Sequence, residues 1–130
     1  MSPEDVDLAI RHGADGIIVS NHGGHQLDGV PSALDTLRAC VPAAKGKTLI
    51  AIDGRIRRGS DIFKAPALGA DYCLLGKVPV WGPAQGVELA IEILQMELKA
   101  TMALAGCRTI SEIQKSYLSA LRPDGELAKL

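Results

Sequence analysis

No apolar run in this 130-residue chain approaches the roughly 20 residues that a bilayer-spanning helix requires. Nor does the N-terminus carry a basic segment followed by an apolar one, so no secretory signal is expected. Neither sign of charge dominates. The 14 Lys and Arg against 15 Asp and Glu leave a net charge of -1, which gives no reason to expect nucleic acid or an anionic membrane as partner. Any anion site must therefore be local. Cysteine is sparse, since Cys40, Cys73 and Cys107 are widely spaced, odd in number, and form neither a C-x-x-C pattern nor a metal-ligand grouping with the histidines. Reduced, buried thiols in an intracellular protein are the expectation, with no metal site. Internal repeats, low-complexity tracts and an interdomain linker are also lacking. What is present is ordinary for one globular domain with a core: 47% hydrophobic and 22% charged residues.

Along the chain, helical and strand-like segments alternate. Ser2-Pro3-Glu4-Asp5 is a helix start, with a capping serine, a proline suited to the first turn and acids at the positive helix end. That helix is expected to run to Arg11 and stop near Gly13. Gly16 to Ser20 reads as a strand, apolar on consecutive positions, so both of its faces are expected to be covered as in a parallel sheet. Pro31 to Cys40 has helical spacing at Leu34 and Leu37, continued by Val41. Thr48 to Ile52 is a second buried strand, followed by a helix capped by Ser60 that reaches Leu68 and ends at Gly69. Tyr72 to Leu75 is a third strand. A long helix from about Pro83 to Leu104 follows, then a short helix over Thr109 to Leu121 and a tail.

The order α-β-α-β-α-β-α with short connections means a parallel sheet with crossover helices. Polar, glycine-rich stretches follow the strand ends, where α/β proteins place their chemistry. Three strands alone would leave two open edges and much bare apolar surface, so the chain reads as part of something larger.

Each strand end carries a chemical signal. After the first comes Ser20-Asn21-His22-Gly23-Gly24-His25-Gln26-Leu27-Asp28. A histidine there can act as a base near neutral pH, and the adjacent glycines let a flat ligand approach the backbone, although an ordinary loop histidine is the alternative. After the second comes Asp53-Gly54-Arg55-Ile56-Arg57-Arg58-Gly59, where backbone N–H groups at a helix start and a fork from Arg57 or Arg58 suit a phosphate. After the third comes Gly76-Lys77, again a glycine and a cation. Two consecutive strand ends of this kind match the phosphate site that barrels build after strands seven and eight.

These motifs, in this order and spacing, resemble the FMN-dependent 2-hydroxy-acid dehydrogenases and oxidases, a family that includes glycolate oxidase, lactate oxidase, mandelate dehydrogenase and flavocytochrome b2. Ser20 to Gly24 with Gln26-Leu27-Asp28 resembles the family signature, and Asp53 to Asp61 its flavin-phosphate motif. Ala65 to Ala70 resembles the helix that follows, and Thr101 to Cys107 its C-terminal helix end. The likeness extends to about Leu118. It implies an α/β fold, a partial TIM (β/α)8 barrel equivalent to strands six to eight with their helices, over residues 1–121, with 122–130 a tail.

The resemblance also assigns roles. His22 would take the proton of the substrate alcohol as hydride passes to the flavin, and Asp53 would hold and polarise His22. Ser20 would contact the flavin, and Asp53, Gly54, Arg55, Ile56, Arg57, Gly76 and Lys77 would complete the FMN site. His25 stands where the family has an arginine that grips the substrate carboxylate. Arg55 replaces the second glycine of the family's Asp-Gly-Gly, and Lys77 replaces an arginine, keeping charge but losing the bidentate fork. The family's flavin-binding lysine at the end of strand five has no counterpart in these residues. The implied activity is oxidation of the CH–OH group of a small 2-hydroxy acid to the 2-oxo acid with FMN. The alternative is an inactive barrel remnant that binds a phosphate-bearing ligand or a complementary barrel fragment. A homo-oligomer formed through exposed barrel edges is a further expectation. Ala128-Lys129-Leu130 resembles the Ser-Lys-Leu peroxisomal address, which makes a peroxisomal location the expectation and a cytoplasmic one its alternative.

Overall fold

The computed structural model describes residues 1–77 and 86–130. Its first part alternates as expected: α1 (Pro3–Arg11), β1 (Gly16–Val19), α2 (Ala33–Ala44), β2 (Leu49–Ile52), α3 (Gly59–Leu68) and β3 (Tyr72–Cys73). Then come α4 (Gly86–Ala105), two 3-10 turns at Ile110–Glu112 and Lys115–Tyr117, and a hairpin of β4 (Ser119–Leu121) and β5 (Leu127–Lys129). The expected start of the long helix, Pro83, lies outside the described residues.

The caps follow from the sequence. Ser2 Oγ accepts the Asp5 N–H at 3.3 Å while the Asp5 carboxylate accepts the Ser2 N–H at 2.8 Å, a reciprocal capping box. In α2, Ser32 Oγ accepts the Asp35 N–H at 3.2 Å. That helix runs a turn beyond the expected Cys40, through Pro42. Pro42 cannot donate to the Arg38 carbonyl, but both residues lie on the exposed side, and the added turn puts Ala44 fully into the core. Arg58, not Ser60, is the N-cap residue of α3. The carboxylate of Asp61 reaches back to the Arg57 and Arg58 N–H groups at 3.1 Å each, which starts the helix two residues early.

The sheet is parallel in the order β1-β2-β3, with Ile17 beside Ile50, Val19 beside Ile52 and Ile52 beside Cys73. One face is covered. Val19, Ile50 and Ile52 pack there against Val6 of α1, Leu37 and Cys40 of α2, and Ala65 of α3. Full burial of Leu37 and Ile52 contributes roughly 2 kcal/mol each. A second cluster joins Phe63 and Ala67 of α3 to Leu98 and Met102 of α4 and to Cys107 and Ile113 beyond it.

The other face is open. Ile18 is 50% exposed, Leu49 51% and Tyr72 60%, against the expectation that both faces would be covered. The run of consecutive apolar residues is real, but among the described residues the helices α1, α2 and α3 pack on the same face of this sheet. The fold is thus an α/β layer with a three-stranded parallel sheet, and these strands do not close a barrel.

The segment Thr109 to Leu121 is not a helix. It forms the two 3-10 turns and then β4, which pairs antiparallel with β5, Ser119 opposite Lys129. The hairpin therefore joins residues on both sides of position 121. Among the described residues, no helix is long and apolar enough to cross a membrane.

Candidate active site

Three loops at the C-terminal ends of β1, β2 and β3 meet around one cavity of about 550 Å³, within the range of small-molecule sites. Parallel strands in register bring these loops together, so residues 22, 53 and 77 become neighbours.

The first loop turns sharply. His22 (φ 52°) and the two glycines after it adopt left-handed backbone, which is strained for a residue with a side chain. Ser20 holds this turn. Its Oγ accepts the His22 N–H at 3.0 Å and donates to Asp53 Oδ1 at 2.9 Å. Asp53 thus reaches the His22 backbone through Ser20, and among the described residues there is no direct carboxylate–imidazole hydrogen bond of the kind expected. The ends of β1 and β2 are thereby tied at the point where the chemistry is placed.

The second loop leaves β2 through Gly54, whose φ of 101° is open to glycine alone at low cost. A Cβ there would come within 2.7 Å of Asn21 Oδ1, so the missing side chain also lets the two loops nest. That Oδ1 is buried without a hydrogen-bond partner, an acceptor left for a donor from outside the described residues. Arg55 is left-handed as well (φ 60°), and its side chain is exposed at the cavity.

The paired arginines separate. Arg57 lines the cavity. Arg58 turns away, its Nε 2.9 Å from Glu97 Oε1 on α4, while Glu97 Oε2 accepts the Gly59 N–H at 2.8 Å. The start of α3 had been expected to offer backbone N–H groups to a phosphate. Its N–H groups at residues 57, 58 and 59 are instead taken by Asp61 and Glu97. The donors that line the cavity include side chains and the backbone of Gly54 to Ile56 and of Gly76.

The third loop supplies Leu74, Gly76 and Lys77. Lys77 does not point at Arg57. It crosses to the first loop, with Nζ 2.6 Å from His25 Nε2 and 3.4 Å from the Gly23 carbonyl.

His22, His25, Asp53, Gly54, Arg55, Ile56, Arg57, Gly76 and Lys77 all line the cavity, and Ser20 lies just behind it. Two further lining residues, Asn21 and Leu74, had been given no role. Asn21 lay inside a motif already singled out, while Leu74 carried no signal beyond being the apolar end of a strand. Arg55, Arg57 and Lys77 against the single carboxylate of Asp53 give the cavity an excess of positive charge, in a chain whose net charge is -1. Cations and glycine backbone together fit a ligand with an anionic phosphate.

The family model for FMN-dependent dehydrogenases matches residues 1–120. The chain is 55% identical to Oxidase FUB9 of Gibberella moniliformis, over 97% of this chain and 34% of that protein. It is 44% identical to glycolate oxidase of Spinacia oleracea, over 92% of this chain and 34% of that one. Among solved structures, mandelate oxidase with benzoyl-formic acid superposes with a TM-score of 0.81 at 39% identity, covering 88% of this chain and 35% of that one. The chain spans about a third of the length of the relatives it matches.

Proposed function

Since the chain belongs to the FMN-dependent dehydrogenase family, we propose that it is the C-terminal portion of an FMN-dependent oxidoreductase that converts a small 2-hydroxy acid to the 2-oxo acid. The observation that carries this reading is the gathering of His22, Asp53, Arg55, Arg57 and Lys77 around one cavity at the ends of three parallel strands. Residues 1–121 are then strands six to eight of a (β/α)8 barrel with their helices, and 122–130 an appended segment.

FMN would supply the two-electron acceptor. Arg55 and Arg57, with the backbone of Gly54, Ile56 and Gly76, would hold its phosphate, and Ser20 would lie on its ring side. An imidazole nitrogen of His22 takes the proton of the substrate hydroxyl. Asp53 and Ser20 keep that imidazole in place by fixing the His22 backbone at 3.0 Å from Ser20 Oγ. His25 faces the substrate.

The open sheet face, with Ile18 and Tyr72 half exposed or more, favours a second reading for the isolated chain. There it binds a phosphate-bearing ligand, or a complementary barrel fragment or a second copy through its edge strands β1 and β3, without turnover. A peroxisomal location belongs to the main reading and rests on Ala128-Lys129-Leu130.

The test is a flavin-fluorescence titration of the purified chain with FMN, followed by oxidation assays with glycolate and lactate. We expect saturable binding, and turnover that falls by about 10²- to 10⁴-fold in His22→Ala while FMN affinity stays within about twofold. Undiminished turnover in His22→Ala would remove the base role. FMN binding without any turnover would support the second reading.

A further inference from the structure

Helix α4 has two apolar sides, and one of them is bare. Leu94 is buried, and Leu98 and Met102 pack near Phe63 and Ala67 of α3. At about 100° per residue these three positions share one side of the helix. On the opposite side lie Leu89, Ile93, Met96, Ala100 and Ala103, all of them exposed, Leu89 at 56% and Met96 at 64%. Their separations of four, three, four and three residues alternate as the two seam positions of a coiled coil do. A second apolar side of this kind on one helix is a surface still to be buried. The residues flanking the stripe say against what. Glu92 and Lys99 border one edge, both exposed and neither in an ion pair among the described residues. Ala90 and Glu97 border the other.

We infer that two copies of this chain associate through α4, with the two helices antiparallel and Leu89, Ile93, Met96 and Ala100 forming the seam. In that orientation Ile93 meets Met96 of the second copy and Leu89 meets Ala100, so large residues face smaller ones and the helices approach closely. The same register sets Glu92 beside Lys99 of the second copy, twice by symmetry, and Ala90 beside Glu97. A parallel pair would instead set Glu92 against Glu97, like charge against like. The stripe is therefore complementary to itself in one orientation, in which apolar spacing and charge order agree. Two-fold symmetry closes the contact, so it produces a dimer and not a growing chain. It is separate from the edge strands β1 and β3, and it depends on neither flavin binding nor turnover. The seam is short. An interface of four such layers buries on the order of 1,000 Å² or less, the low end for a specific contact, and micromolar affinity is expected.

The test is sedimentation equilibrium of the 130-residue chain without flavin, from about 5 to 500 μM at low ionic strength, with circular dichroism to confirm that each variant is folded. The parent should show a monomer–dimer equilibrium. Glu92→Lys sets lysine against Lys99 twice, and Lys99→Glu sets glutamate against Glu92 twice. Each should weaken the dimer by about tenfold. The double variant Glu92→Lys/Lys99→Glu should return to within about threefold of the parent, and so should an equimolar mixture of the two single variants, because opposite charges then meet again. Met96→Glu, a change at an exposed position, should abolish association. A parent that stays monomeric throughout would overturn the inference and leave the stripe to some other partner. Association of any stoichiometry that is equally strong in the parent, the single-charge variants and Met96→Glu would overturn it too, and would move the contact to the open sheet face. Losses in both single variants with no recovery in the double variant or the mixture would refute the antiparallel register.

Discussion

Arg57 and Arg58 are adjacent and chemically identical, and the structure predicts opposite consequences for removing them. Arg57 faces the cavity and makes no ion pair among the described residues. Losing one charge-assisted contact to a phosphate costs about 1.5–3 kcal/mol, and the exposure of Arg57 places it at the lower end. Coulomb's law gives a similar size, since a unit charge about 4 Å from a phosphate of charge near -2 is worth roughly 2 kcal/mol in water. Arg57→Ala should therefore weaken FMN binding by about tenfold or more and leave stability nearly unchanged. Arg58 is paired with Glu97, with side-chain exposures of 70% and 25%, so its removal should cost only about 0.5 kcal/mol of stability. Glu97 would keep its bond to the Gly59 N–H in that variant. FMN affinity of Arg58→Ala should stay within about twofold of the parent. Flavin-fluorescence titration reads the affinities, and urea unfolding reads the stabilities. Equal losses of affinity in the two variants would refute the separation of the arginines, and a larger loss in Arg58→Ala would reverse it.

Two further predictions concern the scaffold. A Cβ on Gly59 would overlap the backbone of Glu97 and Leu98, so Gly59→Ala should push α4 off α3 and cost about 3 kcal/mol in urea unfolding; a change under about 0.5 kcal/mol would show that the helices separate easily. Burial pushes the Cys73 thiol up to about 11 from an ordinary 9.0. The unfolded chain then loses this proton before the folded one, so stability is intact below pH 9 and declines from there to about pH 11. Two units would be about 2.7 kcal/mol for a fully shielded thiol, and partial exposure reduces this to roughly 1 kcal/mol. Unfolding curves for the parent and Cys73→Ala at pH 8 and pH 10.5 should diverge only at the higher pH, and parallel curves would show that the thiol is not shielded.

The alternation of elements through β3 was legible because most of its boundaries have a local cause: Ser2, the glycines, the short apolar runs. The site residues were legible for a related reason, since parallel strands in register bring their following loops together. Whatever depends on a partner distant in sequence was not. Glu97 lies 39 residues beyond Arg58, and nothing local says that it will take one arginine and leave its neighbour. The reach of Lys77 to His25 is of the same kind, across 52 positions. The C-terminal segment is a different case, because its signal was present. Pro123-Asp124-Gly125 is a turn sequence, and Gly125 adopts φ 84° with its N–H on the Arg122 carbonyl at 2.9 Å. It marks a hairpin, and the stretch before it was read as a short helix instead.

The occupied N–H groups at the start of α3 determine what kind of grip this cavity has. Where a phosphate sits on backbone donors, the attraction is part of the fold and cannot be diluted. Here Asp61 and Glu97 have claimed the N–H groups of residues 57, 58 and 59, and much of the pull rests on exposed side-chain charges. Such charges are screened over about 8 Å at physiological ionic strength and over far shorter distances in concentrated salt. Retention of an anion in this cavity is therefore set as much by the surrounding electrolyte as by the chain itself.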